Sequence, residues 1–220
     1  MHLDQLNAEI VACRKCPRLV AWREQVARTK RRAFADWTYW GRPVPGFGDP
    51  HARVFVVGLA PGAHGSNRTG RQFTGDSSGE FLYPALYRTG FASQPDSVSR
   101  EDGMILTDLY TAPVCRCAPP ENKPTRSEMD ACQPYLVREL ELIRPRVFVV
   151  LGRIAHERLL GILGLQPAGF PFAHARVHPL PGGRHLVCSY HPSRQNTQTG
   201  RLTTPMFDRV WVSARQLLEK

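Results

Sequence analysis

The sequence predicts a three-layer α/β/α fold around a central, mainly parallel four-stranded sheet. Three observations carry that expectation. Arg53-Val-Phe-Val-Val-Gly58, Arg146-Val-Phe-Val-Val-Leu151-Gly152 and His185-Leu-Val-Cys-Ser-Tyr190 are short, uninterrupted apolar runs, as required of parallel strands buried on both faces. Helical patterns alternate with these runs, which places helices on both sides of the sheet. The chain has 220 residues, 42% of them hydrophobic, enough for one full core.

The elements follow in order. Residues 4–16 read as a short helix ending at Cys13-Arg-Lys-Cys16, with Pro17 breaking or restarting it. Residues 19–34 read as a second, very basic helix carrying Arg28, Lys30, Arg31 and Arg32 at its end. Residues 37–49 hold Gly41, Pro43, Pro45, Gly46 and Gly48 and read as a loop. After the first strand come a helix over 79–88 and a weak second strand over 104–107. Ser127 is expected to cap a helix reaching Ile143, with Asp130 in the capping-box position and a kink or restart at Pro134. The third strand, 146–152, leads into a helix over 154–163. The last strand, 185–190, precedes a final helix over 203–218. No repeat, low-complexity tract or domain boundary interrupts residues 1–220, so one domain is expected.

Formal net charge is +10. That excess favours a polyanionic partner, although a merely solvated basic surface gives the same count. No apolar run approaches a membrane span, and the first residues lack a signal-peptide layout, so a cytoplasmic chain is expected. There, six cysteines suit metal binding better than disulfides. Cys13 and Cys16 form C-x2-C; Cys117 and Cys132 form C-x14-C about a hundred residues later. A thioredoxin-like pair fits poorly because no strand precedes the C-x-x-C. Zinc and an iron–sulfur cluster both remain open on spacing alone. Cys188 alternates within an apolar strand and reads as core filler.

Two stretches at strand exits carry the chemistry, where open α/β sheets build their binding sites. Gly58-Leu-Ala-Pro-Gly62-Ala63-His64-Gly65 lacks the Gly-Lys-Ser/Thr ending of a phosphate loop. A tight turn would explain its glycines. The run continues through Phe73-Thr-Gly75-Asp76, where small residues allow close approach of a ligand and Phe73 offers a flat stacking face. The second stretch is His191-Pro-Ser-Arg-Gln-Asn196. A lone histidine would read as structural, and His174, His178 and His185 are read so. His191 differs through its Pro-Ser context and its pairing with the first stretch.

Together these stretches resemble the uracil-DNA glycosylase superfamily, its iron–sulfur branches, and most closely family 5 (type b). The resemblance spans nearly the whole chain. It implies the uracil-DNA glycosylase fold and a [4Fe–4S] cluster on Cys13, Cys16, Cys117 and Cys132. The third cysteine opens Cys117-Ala-Pro-Pro-Glu-Asn122 and the fourth precedes Pro134-Tyr-Leu136, both similar to family patterns. Cys115 is then a bystander, and a rival for Cys117. The resemblance further implies that Phe73 stacks on a flipped uracil while Gly62, Ala63 and His64 contact base and backbone. His191 would donate a hydrogen bond to uracil O2, and the loop carrying Asn196 would enter the DNA. Asn122 is a candidate polar contact. Family 4 relatives carry a carboxylate where this chain has Leu59, so Asp76 is the available acid, with capping of the following helix as its competing role.

The expected activity is hydrolytic excision of uracil, and of other deaminated bases such as hypoxanthine, from single- or double-stranded DNA. No lysine stands out as an imine-forming nucleophile, so an intact abasic strand is the expected product. A monomer with no membrane partner is expected. The alternative is a non-catalytic, metal-stapled nucleic-acid-binding protein whose basic helix supplies the affinity. A redox protein lacks any partner-cofactor motif.

Overall fold

All three strong apolar runs become fully or largely buried strands at the centre of one sheet. They are β2 (Val54–Gly58), β4 (Val147–Leu151) and β6 (Arg184–Ser189). The computed structural model describes residues 2–219. In it β3 (Leu109–Pro113) joins these three, and the four run parallel in the order β3-β2-β4-β6. Val54 of β2 lies between Leu109 and Val147, which sets the register across the centre.

Two antiparallel edge strands enlarge the expected four to six: β1 (Phe47–Gly48) beside β3 and β5 (Val177–Leu180) beside β6. The second strand also lies further along than expected. Residues 104–107 contribute only an isolated bridge between Leu106 and Ala92. Asp108 then takes a left-handed turn, φ 59°, and the ladder begins at Leu109. The carboxylate of Asp108 pins this corner through the Arg53 side chain and backbone N–H.

Two helices cover each face. On one side, α4 (Ser77–Arg88) and α8 (Thr204–Leu218) pack Leu82, Tyr83, Phe207 and Trp211 against Val56, Val149 and Val187. On the other, α5 (Arg126–Ile143) and α6 (Arg153–Ile162) pack Leu136, Leu159 and Leu160 against Phe55, Phe148 and Leu186. Alternate residues of each strand thus serve opposite cores, as the pleat dictates. Cys188 belongs to the second core, as its alternation predicts. A separate small cluster of Leu6, Ile10 and Tyr135 seats α1 (Leu3–Ala12) on α5.

Local chemistry shifts several boundaries. The first helix ends at Ala12 and Pro17 starts α2 (Pro17–Thr29), the expected restart, because the first helical position needs no N–H donor. Lys30, at φ 53°, ends α2, and Arg32–Phe34 form a separate 3-10 turn. Thr125, not Ser127, caps α5. Its hydroxyl accepts from Glu128 N–H while the Glu128 carboxylate accepts from Thr125 N–H. The helix runs unbroken through Pro134, so the expected restart does not occur. Proline there costs only the bond to the Asp130 carbonyl, and burial of Cys132, Tyr135 and Leu136 on either side holds the helix together. Among the described residues no helix is long and apolar enough to cross a membrane.

Candidate functional site

The parallel strands all end at one side of the sheet, and their exits frame a cleft of about 1220 Å³. The turn after β2 forms one wall and the segment after β6 another. Pairing continues past the strand ends: Val114 N–H donates to Gly58 O and Cys115 N–H to Leu59 O, both at 2.9 Å. This places the loop carrying Asn122 beside the turn after β2. The cleft is lined by Gly62, Ala63, His64, Phe73, Asp76, Asn122 and His191, so two distant stretches of sequence meet here.

Asp76 performs two tasks. Its Oδ1 accepts from the N–H groups of Ser78 and Gly79, each at 3.1 Å, and so caps α4. Its Oδ2 has no hydrogen-bond partner among the described residues and abuts the turn after β2. A Cβ on Gly62 would stand 2.8 Å from this oxygen, and one on Gly65 would collide with it. Only glycine lets the turn close this tightly on the carboxylate. Burial raises the pKa of Asp76, outweighing the two backbone hydrogen bonds that lower it.

His191 sits just beyond β6. Burial holds its pKa down, to about 4, with no carboxylate to oppose the shift. The ring is therefore neutral at ordinary pH and suited to donate a hydrogen bond rather than a proton. The Phe73 ring lies 6.2 Å from it, tilted by 38°, and rests against Gly58. Phe73 itself has φ 51°, a strained conformation for a bulky residue that the surrounding contacts must hold. Glu121 and Asn122, which also line the cleft, are likewise left-handed, at φ 53° and 56°.

The loop after His191 borders the cleft through Ser193, Arg194 and Gln195. Asn196 does not line the cleft: its side-chain amide donates to the His191 carbonyl at 2.9 Å. The first turn of α7 (Arg194–Gln198), capped by Ser193, turns it back toward the strand end. It steadies His191, while Arg194 and Gln195 face the cleft. His174 and His178 are structural, as expected. His174 bonds Met206 O and Tyr190 N–H, and His178 bonds Pro171 O.

Several participants were invisible in the sequence. Tyr39 reaches His64 Nδ1 at 3.1 Å. Arg31 and Phe34 extend to the cleft from a segment that read only as a basic helix end. Arg71 forms a buried bidentate pair with Asp102, 2.7 and 2.6 Å; against the cost of burial, Arg71 and the Met104, Val98 and Ser99 amides hold Asp102 at about 2. Side chains brought together from residues so far apart leave no local signal.

Residues 45–215 match the family model of the Uracil DNA glycosylase superfamily. The chain belongs to that superfamily. It is 57% identical over 218 residues to the type-5 uracil-DNA glycosylase of Thermus thermophilus, covering 99% of both chains. It is 50% identical to the type-5 enzyme of Mycobacterium leprae, over 98% of this chain and 95% of that one. A type-4 uracil-DNA glycosylase of Pyrobaculum aerophilum is 33% identical, over 88% and 84%.

In this glycosylase chain every cysteine but Cys188 interacts with another. Cys13 and Cys16 flank the junction of α1 and α2, Cys117 lies in the loop after β3, and Cys132 lies on α5. Their thiols feel one another: Cys16 is raised, chiefly by burial and then by Cys132, with Cys13 contributing. Cys117 is pushed up to about 12, chiefly by burial. Cys115 is also present, its thiol donating to the Cys132 sulfur and lowering Cys132. Among the described residues no three His, Cys, Asp or Glu side chains converge tightly enough for a single metal ion.

The donor set fits a thiolate-bound group. Arg23 is 2% exposed and donates to Cys117 Sγ at 2.8 Å. Its carboxylate neighbour, Glu24, stands 3.9 Å away and bonds Arg14 instead. Arg23 Nε is buried with no hydrogen-bond partner among the described residues. A buried cation lacking a close counter-ion is costly; deprotonated cysteines would supply that charge.

Proposed function

We propose that the cleft receives a uracil flipped out of DNA and that the protein hydrolyses its glycosidic bond. The observation that carries this is the placing of the free Asp76 carboxylate oxygen and the neutral His191 ring in one cleft that half-buried Phe73 also lines. Unstacking a base costs a few kcal/mol, offset by stacking and hydrogen bonds in the pocket. Phe73 supplies the stacking face, while His64, Asn122 and the turn at Gly62 and Ala63 bind the base edge.

As the N1–C1′ bond breaks, its electron pair moves onto uracil and the sugar becomes cationic, as in other glycoside hydrolyses. His191 donates to O2 of the leaving base. Asp76 faces the sugar side, stabilising the cation and orienting a water. The water oxygen bonds C1′, and its proton passes to Asp76 or to the departing base. A preorganised charge and donor of this kind are worth most in a dry site. The products are free uracil and an intact abasic strand; other deaminated bases such as hypoxanthine are further substrates. The basic rim at Arg31 and Arg194 suits phosphate contacts. The protein acts as a cytoplasmic monomer on single- or double-stranded DNA.

Cys13, Cys16, Cys117 and Cys132 would hold a [4Fe–4S] cluster, whose ligands need not converge on one atom. Its part is structural: to tie the α1–α2 junction to the Cys117–Cys132 segment, and so to brace the loop that carries Asn122.

The test is release of free uracil from a uracil-containing oligonucleotide, leaving an alkali-labile site. A mobility shift without release would instead establish the binding-protein alternative.

A further inference from the structure

We infer that Arg68 is a positioning residue for base release: its guanidinium clasps the two ends of the β2-exit motif and sets Asp76 in the cleft. This rests on the glycosylase reading above. Arg68 lies on α3 (Ser66–Thr69), behind the cleft wall, and does not line it.

One guanidinium makes both ties. Nε donates to His64 O and Nη2 to Gly75 O, each at 2.8 Å. His64 belongs to the turn that abuts Asp76, and Gly75 immediately precedes Asp76. The clasp therefore fixes the carboxylate from both sides. A Cβ on Gly75, at φ 76°, would collide with Nη2, so glycine there lets the guanidinium close.

The charge itself needs explaining. Arg68 is 4% exposed, Nη1 is buried with no hydrogen-bond partner, and no described carboxylate pairs with it within 4.0 Å. Phe34 and Trp37, set edge to face with each other, flank the cation instead, with ring centroids at 3.9 and 4.0 Å. A neutral side chain could fill this space without the desolvation cost. Burial lowers Arg68, and Tyr39 and then Asp76 raise it; Arg68 in turn lowers Asp76.

The other groups bearing on Asp76 are the Ser78 and Gly79 amides, which lower it, and Glu80 on the same helix, which raises it. Neutral His191 lines the same cleft. Arg68 is thus the one side-chain cation in this set favouring the ionised acid. Its cage comes from the segment that also carries Arg31, on the cleft rim, and Tyr39, bonded to His64. The DNA-facing segment and the catalytic motif meet at this side chain.

The test compares wild type, Arg68→Met and Arg68→Lys in single-turnover uracil release from a single-stranded uracil oligonucleotide, from mildly acidic to alkaline pH. Fluorescence anisotropy and thermal melting are run alongside. Arg68→Met is expected to keep DNA affinity and melting temperature but lose about 100-fold in rate. Its acid limb should move to higher pH, because Asp76 loses the nearby cation. Arg68→Lys should return the limb toward wild type but recover only part of the rate, since ammonium lacks the fork that makes both ties. A limb that does not move in Arg68→Met, whatever its rate, overturns the inference. Should Arg68→Met fail to fold, an unchanged rate in Arg68→Lys overturns it, and a rate about tenfold lower with an unmoved limb supports it. Absence of release by wild type overturns both readings; release by wild type with an indifferent Arg68→Met overturns the clasp alone.

Discussion

Replacing Asp76 with asparagine or alanine separates its two tasks. Asparagine keeps an oxygen to accept from the Ser78 and Gly79 amides, now 3.1 Å from Oδ1, and caps nearly as well. Alanine removes the cap, costing about 1 kcal/mol, which for this size is roughly 2–4 °C in melting temperature. The charge behaves oppositely. Burial raises the Asp76 pKa, so the folded state disfavours the carboxylate, and stability declines as pH rises past the unfolded-chain value. Asparagine removes that cost, so its stability at neutral pH should match or exceed wild type. Catalysis needs the carboxylate. Losing a preorganised charge beside the developing cation should cost about 3–4 kcal/mol, or about 10²–10³-fold in rate. Wild-type turnover should climb with pH through a value above that of an ordinary aspartate, and the asparagine variant should lack that limb. The assays are single-turnover release on a uracil oligonucleotide and thermal melting. Near-wild-type release by Asp76→Asn, with Asp76→Ala destabilised, would refute the reasoning and leave Asp76 a helix cap.

His191→Ala should lower single-turnover release by about 10²–10³-fold with DNA affinity intact. Because His191 stays neutral down to about pH 4, it should add no limb to the rate profile near neutrality; a rate that collapses as pH rises from 4 to 6 would contradict the neutral-donor role. The same shift makes acid destabilising: as pH falls from roughly 6.5 toward 4, the unfolded chain binds a proton that the folded ring refuses, a loss urea melts should resolve. Aerobically purified protein should be brown with about four irons per chain; Cys117→Ser should lose both colour and iron while Cys115→Ser and Cys188→Ser keep them, and a colourless protein with stoichiometric zinc would refute the cluster. DNA affinity should fall steeply with salt, by a slope of about 0.7 per phosphate contact on a single strand. Charge reversal at Arg28, Lys30, Arg31 and Arg32 should flatten that slope; unchanged affinity would mark them as a solvated face.

The central strands were legible because burial on both faces leaves an unmistakable apolar run, as at Val54–Gly58 and Val147–Leu151. The edge strands were not: β1 is two residues long, and β5 alternates exposed and buried positions around a proline. The cap at Thr125 was masked by Ser127, equally suited by type; the carboxylate three residues on, Glu128 rather than Asp130, decided between them. In the cleft, sequence identified the residues at strand exits, where backbone geometry fixes direction. It gave no sign that Asn196 bonds the His191 carbonyl, an orientation set by one turn of α7. It missed Arg68 and Tyr39, whose roles arise only when residues 31–39 fold against the turn after β2.

The composition of the sheet has a consequence for solubility. The two Val-Phe-Val-Val segments combine β-branched and aromatic residues without charge, the signature of segments that stack into cross-β assemblies. Both occupy interior positions, paired on each side. The borders offer little to a passing chain: one is a two-residue strand ending in Gly48, the other contains Pro179, which has no N–H to give. Intermolecular strand addition is thereby blocked in the native state and becomes accessible only when the interior strands separate. Self-association on heating should therefore follow global unfolding rather than precede it.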